Sequence, residues 1–116
     1  DTTKNFDFIK KYKNSYVINE GEWLIDNDLL IPSGKNLVIK SGANIILINK
    51  ARIISKSPIE AIGKKGKAIN FLGKGGRCLI ISESNELSVF ENVNFFELEH
   101  CYEDGINSEG SFNIYN

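Results

Sequence analysis

Across residues 29–61 the side chains that a fold must hide keep one parity. Leu29, Ile31, Leu37, Ile39, Ile45, Leu47, Ala51, Ile53, Ile59 and Ala61 are all odd-numbered, and Ile69, Phe71, Val93 and Phe95 continue the series. A period of two is what strands with one buried face require. Lys35, Lys40, Lys50, Arg52, Lys56, Asn70 and Asn94 fall outside the set. In the run at residues 45–48, Ile46 and Ile48 are apolar as well, so that strand is expected to be covered on both faces. From Tyr16 onward the runs are short and rich in β-branched residues. Gly, Ser and Asn separate them, and Pro32 and Pro58 fall outside the apolar runs.

How such strands pair is the next question. Two-residue Asn-Gly or Asp-Gly links would announce hairpins. None joins two apolar runs; Asp104-Gly105 is the only dipeptide of that kind. Strong strand centres instead recur at wide intervals, as from Phe71 to Phe95 and from Phe95 to Ile114. Parallel stacking of short strands, one set per coil, produces loosely repeated intervals of this sort. A sandwich, with turn signals every 8 to 12 residues or so, is the competing architecture.

Residues 3–13, TKNFDFIKKYK, differ in texture. Phe6, Ile9 and Tyr12 fall on one helical face, with Thr3 or Asn5 available as a cap, which predicts a short helix. Open ends of a solenoid expose unpaired strand edges, and this segment is the natural cover for one of them. The expected organisation is therefore a cap over residues 1–20 and a β domain over residues 21–116. Residues 111–116, SFNIYN, read as a strand with a further coil to follow, so the β domain is expected to continue beyond 116 in a longer parent protein.

Residues 23–96 resemble the right-handed parallel β-helix of pectin-lyase-like proteins. The likeness runs through Trp23 and Ile25, then Leu29, Ile31, Pro32, Gly34, Leu37, Ile39 and Gly42. It continues with Ile45, Leu47, Ser57-Pro58-Ile59, Gly63 and the run from Lys67 through Phe71. SVFENVNFF, residues 88–96, resembles the strand that follows a W-x-G-I motif in that family. Here the chain departs from the pattern, because Gly76-Arg77-Cys78-Leu79-Ile80 carries no Trp. The resemblance covers about two thirds of the chain and implies an all-β solenoid of about five short coils. It says little about activity, since fold does not fix function. Gly34, Gly42 and Gly63 are expected at corners with positive φ. Asn36, Asn44, Asn70, Asn92 and Asn94 are expected either in turns or stacked as amide ladders.

Composition excludes some classes. With 41% hydrophobic and 25% charged residues the chain is ordinary for a globular domain, and no apolar run approaches the ~18 residues of a membrane span. The formal charge of −1 hides a segregation: fourteen bases against seven acids up to residue 82, then eight acids and no base. Such asymmetry points to two surfaces with different partners, or to two ends of an elongated body. Cys78 and Cys101 have no metal-like spacing and leave open a disulfide or two buried thiols.

Two segments carry candidate binding chemistry. GKKGKAINFLGKGGR, residues 63–77, sets Lys64, Lys65, Lys67, Lys74 and Arg77 among five glycines, which suits an anionic glycan or phosphate. It lacks the spacing of a phosphate loop, and the chain is not basic overall, so nucleic acid is not the expected partner. FELEHCYEDGINSEG, residues 96–110, places Glu97 and Glu99 in alternation, with Asp104 and Asn107 beyond. Hard oxygen donors suit calcium, the one cofactor the sequence suggests, although the spacing matches neither an EF-hand nor a zinc site. Both segments also read as solvated loops or faces.

Catalysis finds less support. Asp26 with Asp28, or Glu97 with Glu99, offer same-face carboxylate pairs, as any solvated strand does. No serine-nucleophile motif occurs, and His100 has no recognisable catalytic context. No catalytic residue is named. The expected function is a non-catalytic β-helix module of an extracellular or cell-surface protein that displays or binds polysaccharide. The alternatives are the N-terminal part of a polysaccharide lyase or hydrolase, and a structural spacer or fibre segment. Besides glycan, the rest of its own chain or a second copy at the open solenoid end is the expected partner.

Overall fold

Beyond residue 18, most runs pair with runs more than twenty residues away. The computed structural model describes residues 2–74, 78–82, 87–97 and 106–114. After a 3-10 turn at Thr2–Asn5 come β1 (Ile9–Lys11), β2 (Ser15–Ile18), β3 (Gly21–Ile25), β4 (Leu29–Ile31), β5 (Asn36–Ile39) and β6 (Ala43–Ile48). Then follow β7 (Arg52–Ser55), β8 (Ile59–Ile62), β9 (Ile69–Lys74), β10 (Cys78–Ser82), β11 (Ser88–Phe96) and β12 (Ile106–Ile114). The described chain is all-β, and every strand pair except β1–β2 is parallel.

The strands fall into three parallel series, which the chain visits in the same order each time. The first is β2, β5, β8, in which Tyr16 lies beside Leu37 and Leu37 beside Ile59. The second is β3, β6, β9, in which Trp23, Ile45 and Phe71 align. The third is β4, β7, β10, a separate three-stranded sheet. The nine-residue β11 joins the first two series into one sheet, because residues 89–91 pair with β8 and residues 93–96 with β9. Between those halves Asn92 takes a left-handed φ of 53°.

All fourteen members of the odd-parity series are buried in one core cluster. The backbone explains where parity holds and where it slips. Asn49 and Lys50 are both left-handed, so the two together return the chain to the same face and Leu47 and Ala51 are both buried. Asn92 acts alone and flips the face, so even-numbered Phe90 is buried on one side of it and Val93 and Phe95 on the other. Burying one such side chain contributes about 1.5–3 kcal/mol. Phe71 and Phe95, neighbours in register, stack with ring centroids 5.1 Å apart.

Parallel register also puts like polar groups together. Asn70 Nδ2 donates to Asn44 Oδ1 at 2.7 Å, and Asn94 Nδ2 donates to Asn70 Oδ1 at 3.0 Å. Three of the five candidate asparagines thus form an amide ladder, whereas Asn92 sits at the left-handed kink within β11 and donates to the Gly63 carbonyl. Glycine at 42 has the expected positive φ, 86°. Gly63 has no positive φ; it is required for space, since a Cβ there would lie 2.6 Å from the Asn92 carbonyl oxygen.

The helix expected over residues 3–13 does not form. Phe6 and Ile9 are buried as a helical stripe would have it, but Tyr12 is 57% exposed. The segment is a 3-10 turn followed by β1, which pairs antiparallel with β2. A hairpin closes it, with Tyr12 N–H donating to the Ser15 carbonyl, over a link that lacks Asn-Gly. An isolated helix of this length is marginal in water, whereas a strand laid on β2 satisfies an open sheet edge. The 3-10 turn packs against β4, and Phe8 stacks on Trp23 of β3 at 5.1 Å and 10°. Short as it is, the segment touches the first strand of all three series.

At the opening of the third series Asp28 binds Arg52 through one oxygen to the backbone N–H (2.9 Å) and the other to Nη2 (2.7 Å) and Nε (3.2 Å). The Arg52 guanidinium holds the Asp28 carboxyl below its ordinary range, and Asp28 raises the arginine in turn.

Two outcomes follow. Asn70→Ala removes both ladder bonds of the central amide and is expected to lower stability by about 2 kcal/mol, against about 1 kcal/mol for Asn44→Ala, read from urea midpoints at unchanged slope. Asp28→Asn is expected to destabilise at neutral pH. Because the folded carboxyl titrates lower than the unfolded one, near 3.9, the pair's contribution is complete above about pH 5. It fades as pH falls through the folded value, so the gap between variant and parent should close in acid.

Candidate binding groove

Where the first series ends, three corners line up. Ile18, Ile39 and Ala61 are in register, so the residues after them leave the sheet side by side. Lys40 N–H donates to the Ile18 carbonyl at 2.8 Å and fixes the first two corners together. After β8 the chain makes a tight turn over residues 64–67, with Gly66 left-handed and Lys67 N–H donating to the Lys64 carbonyl at 2.9 Å. Ser41 pins that turn from the layer below: its hydroxyl accepts from Lys64 N–H at 2.8 Å and donates to the Lys67 carbonyl.

These corners enclose an open groove of about 570 Å³. Its floor is the outward face of β5 and β8, where Val38 and Ile62 supply apolar surface and Lys40 and Glu60 supply charge. Asn19 and Glu20 form one wall, and Ser41, Lys64 and Lys67 another. Lys67 Nζ reaches Glu20 Oε2 at 2.7 Å. Gly42 makes room for that pair, because a Cβ there would lie 2.9 Å from Lys67 Cε and 3.1 Å from Glu20 Cγ. Lys40, Lys64 and Glu60 make no ion pair among the described residues.

A second hollow, of about 450 Å³, shares the Asn19–Glu20 wall on its other side. Phe8 and Trp23 line it, with Asp7 and Lys10 at the rim. Trp23 Nε1–H donates to the Asn19 carbonyl at 2.8 Å, tying the indole to the shared wall.

Of the cations singled out in the sequence, Lys64 and Lys67 line the groove. Lys65 is exposed on the turn and does not line it, and Lys74 is exposed at the end of β9, beside Ile48. Arg77 lies outside the described residues. On the acidic side, β11 ends at Phe96, and Glu97 follows it, exposed and with a left-handed φ of 53°. Glu99 and Asp104 lie outside the described residues, as does Cys101. Among the described residues no three His, Cys, Asp or Glu side chains gather to hold a metal ion.

Sequence reasoning missed Asn19, Glu20, Lys40, Ser41, Glu60 and the aromatic pair. A signal was present: Ile18, Ile39 and Ala61 are spaced by 21 and 22 residues, and the missed polar residues sit just past or beside those positions. The groove offers ammonium groups, a carboxylate, an amide and apolar floor, the donor and acceptor mixture that orients a polar ligand in a concave site. It offers no activated nucleophile, because the Ser41 hydroxyl proton is engaged on a backbone carbonyl. Comparison of the chain with protein-family models, with curated proteins and with solved structures finds no match.

Ser41→Ala should release the turn without unfolding the sheet. Amide hydrogen exchange at Lys64 is expected to rise about tenfold, while global stability falls by about 1 kcal/mol.

Proposed function

We propose that this chain is a non-catalytic carbohydrate-binding module built as a right-handed parallel β-helix, of the kind carried by extracellular or cell-surface proteins. Support for the coil is the order of the strands: first, second and third series recur in turn, each strand lying parallel on its predecessor. Parallel crossovers of this kind are almost always right-handed. The surface location follows from the pectin-lyase-like resemblance alone.

One observation carries the binding reading. Two successive layers bring Lys40, Lys64 and Glu60, none of which makes an ion pair among the described residues, into one open groove with an apolar floor. Sugars present hydroxyl rims to such donors and acceptors and C–H faces to such a floor, and a uronate adds a carboxylate for the lysines.

The test is a titration of the isotopically labelled chain with neutral glucose oligomers and glucuronate oligomers, followed by a reducing-end assay. Amide shifts are expected at Asn19, Lys40 and Lys64, with Kd on the order of 0.1–1 mM and a loss of about tenfold on Lys40→Ala combined with Lys64→Ala. Absence of binding by every glycan overturns the reading and leaves a structural spacer. New reducing ends overturn the non-catalytic part and favour a polysaccharide-processing enzyme.

A further inference from the structure

We infer that the site takes an oligosaccharide rather than a single sugar, with one ring in the charged groove and another against the Phe8–Trp23 pair across the Asn19–Glu20 wall. The inference rests on the carbohydrate-binding reading and adds the length of the ligand and a second subsite.

Continuity is the first argument. The charged groove and the aromatic hollow are separate spaces, yet both are walled by Asn19 and Glu20. Each lies within the ~300–1,000 Å³ range of small-molecule sites, and a chain of linked rings, unlike a single one, reaches both. The chemistry of the two differs in the way a sugar chain needs. The groove supplies ionic and hydrogen-bonding groups for hydroxyls and a carboxylate, and the hollow supplies two broad rings for C–H faces.

Preorganisation is the second argument. Three constraints set the Trp23 indole: its Nε1–H donates to the Asn19 carbonyl, Phe8 stacks parallel to it, and it lies against bare backbone at Gly21, where a Cβ would be 2.5 Å from Cζ2. Phe8 is in turn held edge-on by buried Phe6 at 5.7 Å. Phe8 and Trp23 nevertheless remain only partly buried. Aromatic surface that is fixed and still accessible loses little conformational freedom when a ligand ring covers it. Asp7 and Lys10, both exposed at the rim, can receive that ring's hydroxyls.

The chain has one tryptophan, so its emission reports this hollow alone. Glucose and glucuronate series from the single sugar through the hexamer would be titrated against tryptophan emission and, in parallel, by calorimetry. The expected result is about tenfold tighter binding of the longer oligomers, about 1.4 kcal/mol, with an emission change that single sugars do not produce. Phe8→Ala should abolish the length dependence together with the emission change that longer oligomers produce. Should that variant fail to fold, Asp7→Ala with Lys10→Ala at the exposed rim should reduce the length dependence instead. Equal affinity at all lengths, or binding with no change in tryptophan emission, overturns the second subsite and leaves the ring pair as packing at the sheet end. Absence of binding at any length overturns the carbohydrate reading itself, and this inference with it.

Discussion

Parallel register between layers is the constraint on which everything else depends. Once β2, β5 and β8, or β3, β6 and β9, lie in step, each side chain meets the same position of the layer below. Buried side chains then stack largely on buried side chains, and polar groups on one face fall within reach of one another. The first gives the continuous column of Leu, Ile and Phe that closes with Phe71 on Phe95. The second gives the ladder through Asn44, Asn70 and Asn94, in which the central amide both gives and receives without any opposite charge. It also gives the Asp28–Arg52 pair, formed one position ahead of the aligned Leu29 and Ile53. A one-residue slip would turn every one of these contacts inside out.

The sequence revealed what depends on period two and concealed what depends on the layer repeat. Odd parity from Leu29 to Ala61 was legible because alternation is local and needs no knowledge of which strand meets which. The ladder was legible only as one of two options, since an asparagine reads alike in a turn and on a strand face. Phe90 was missed because a single left-handed residue, Asn92, flips the face without leaving a signature in composition. The groove was missed for a different reason. Its walls come from corners about 22 residues apart, and each corner alone is an unremarkable polar pair. Lys64 and Lys67 stood out in the basic run, but Lys40 and Glu60 gain meaning only beside them.

The first layer shows how local propensity loses to an unpaired edge. Residues 3–13 carry a helical stripe, but a helix would leave the backbone of β2 open on one side. Laying β1 on that edge still buries Phe6 and Ile9, and it leaves Tyr12 to solvent. The arrangement has a consequence for the surface. Bringing residues 6–10 over the first layer sets Phe8 against Trp23, so the element that covers the sheet end also builds the wall of a hollow.

The groove's charge balance bears on what it can do. Glu20 and Lys67 pair with each other, while Lys40, Lys64 and Glu60 line the same open groove and are exposed. Such exposed charges contribute little to stability, because screening removes most of their attraction. A hydrolytic site needs the opposite: two carboxyl groups held apart across a cleft, one with its pKa pushed up by burial. Here one carboxylate of the groove is tied to a lysine and the other lies on an open floor. The same register that aligns the corners therefore assembles an open surface in which unlike polar groups surround an apolar floor.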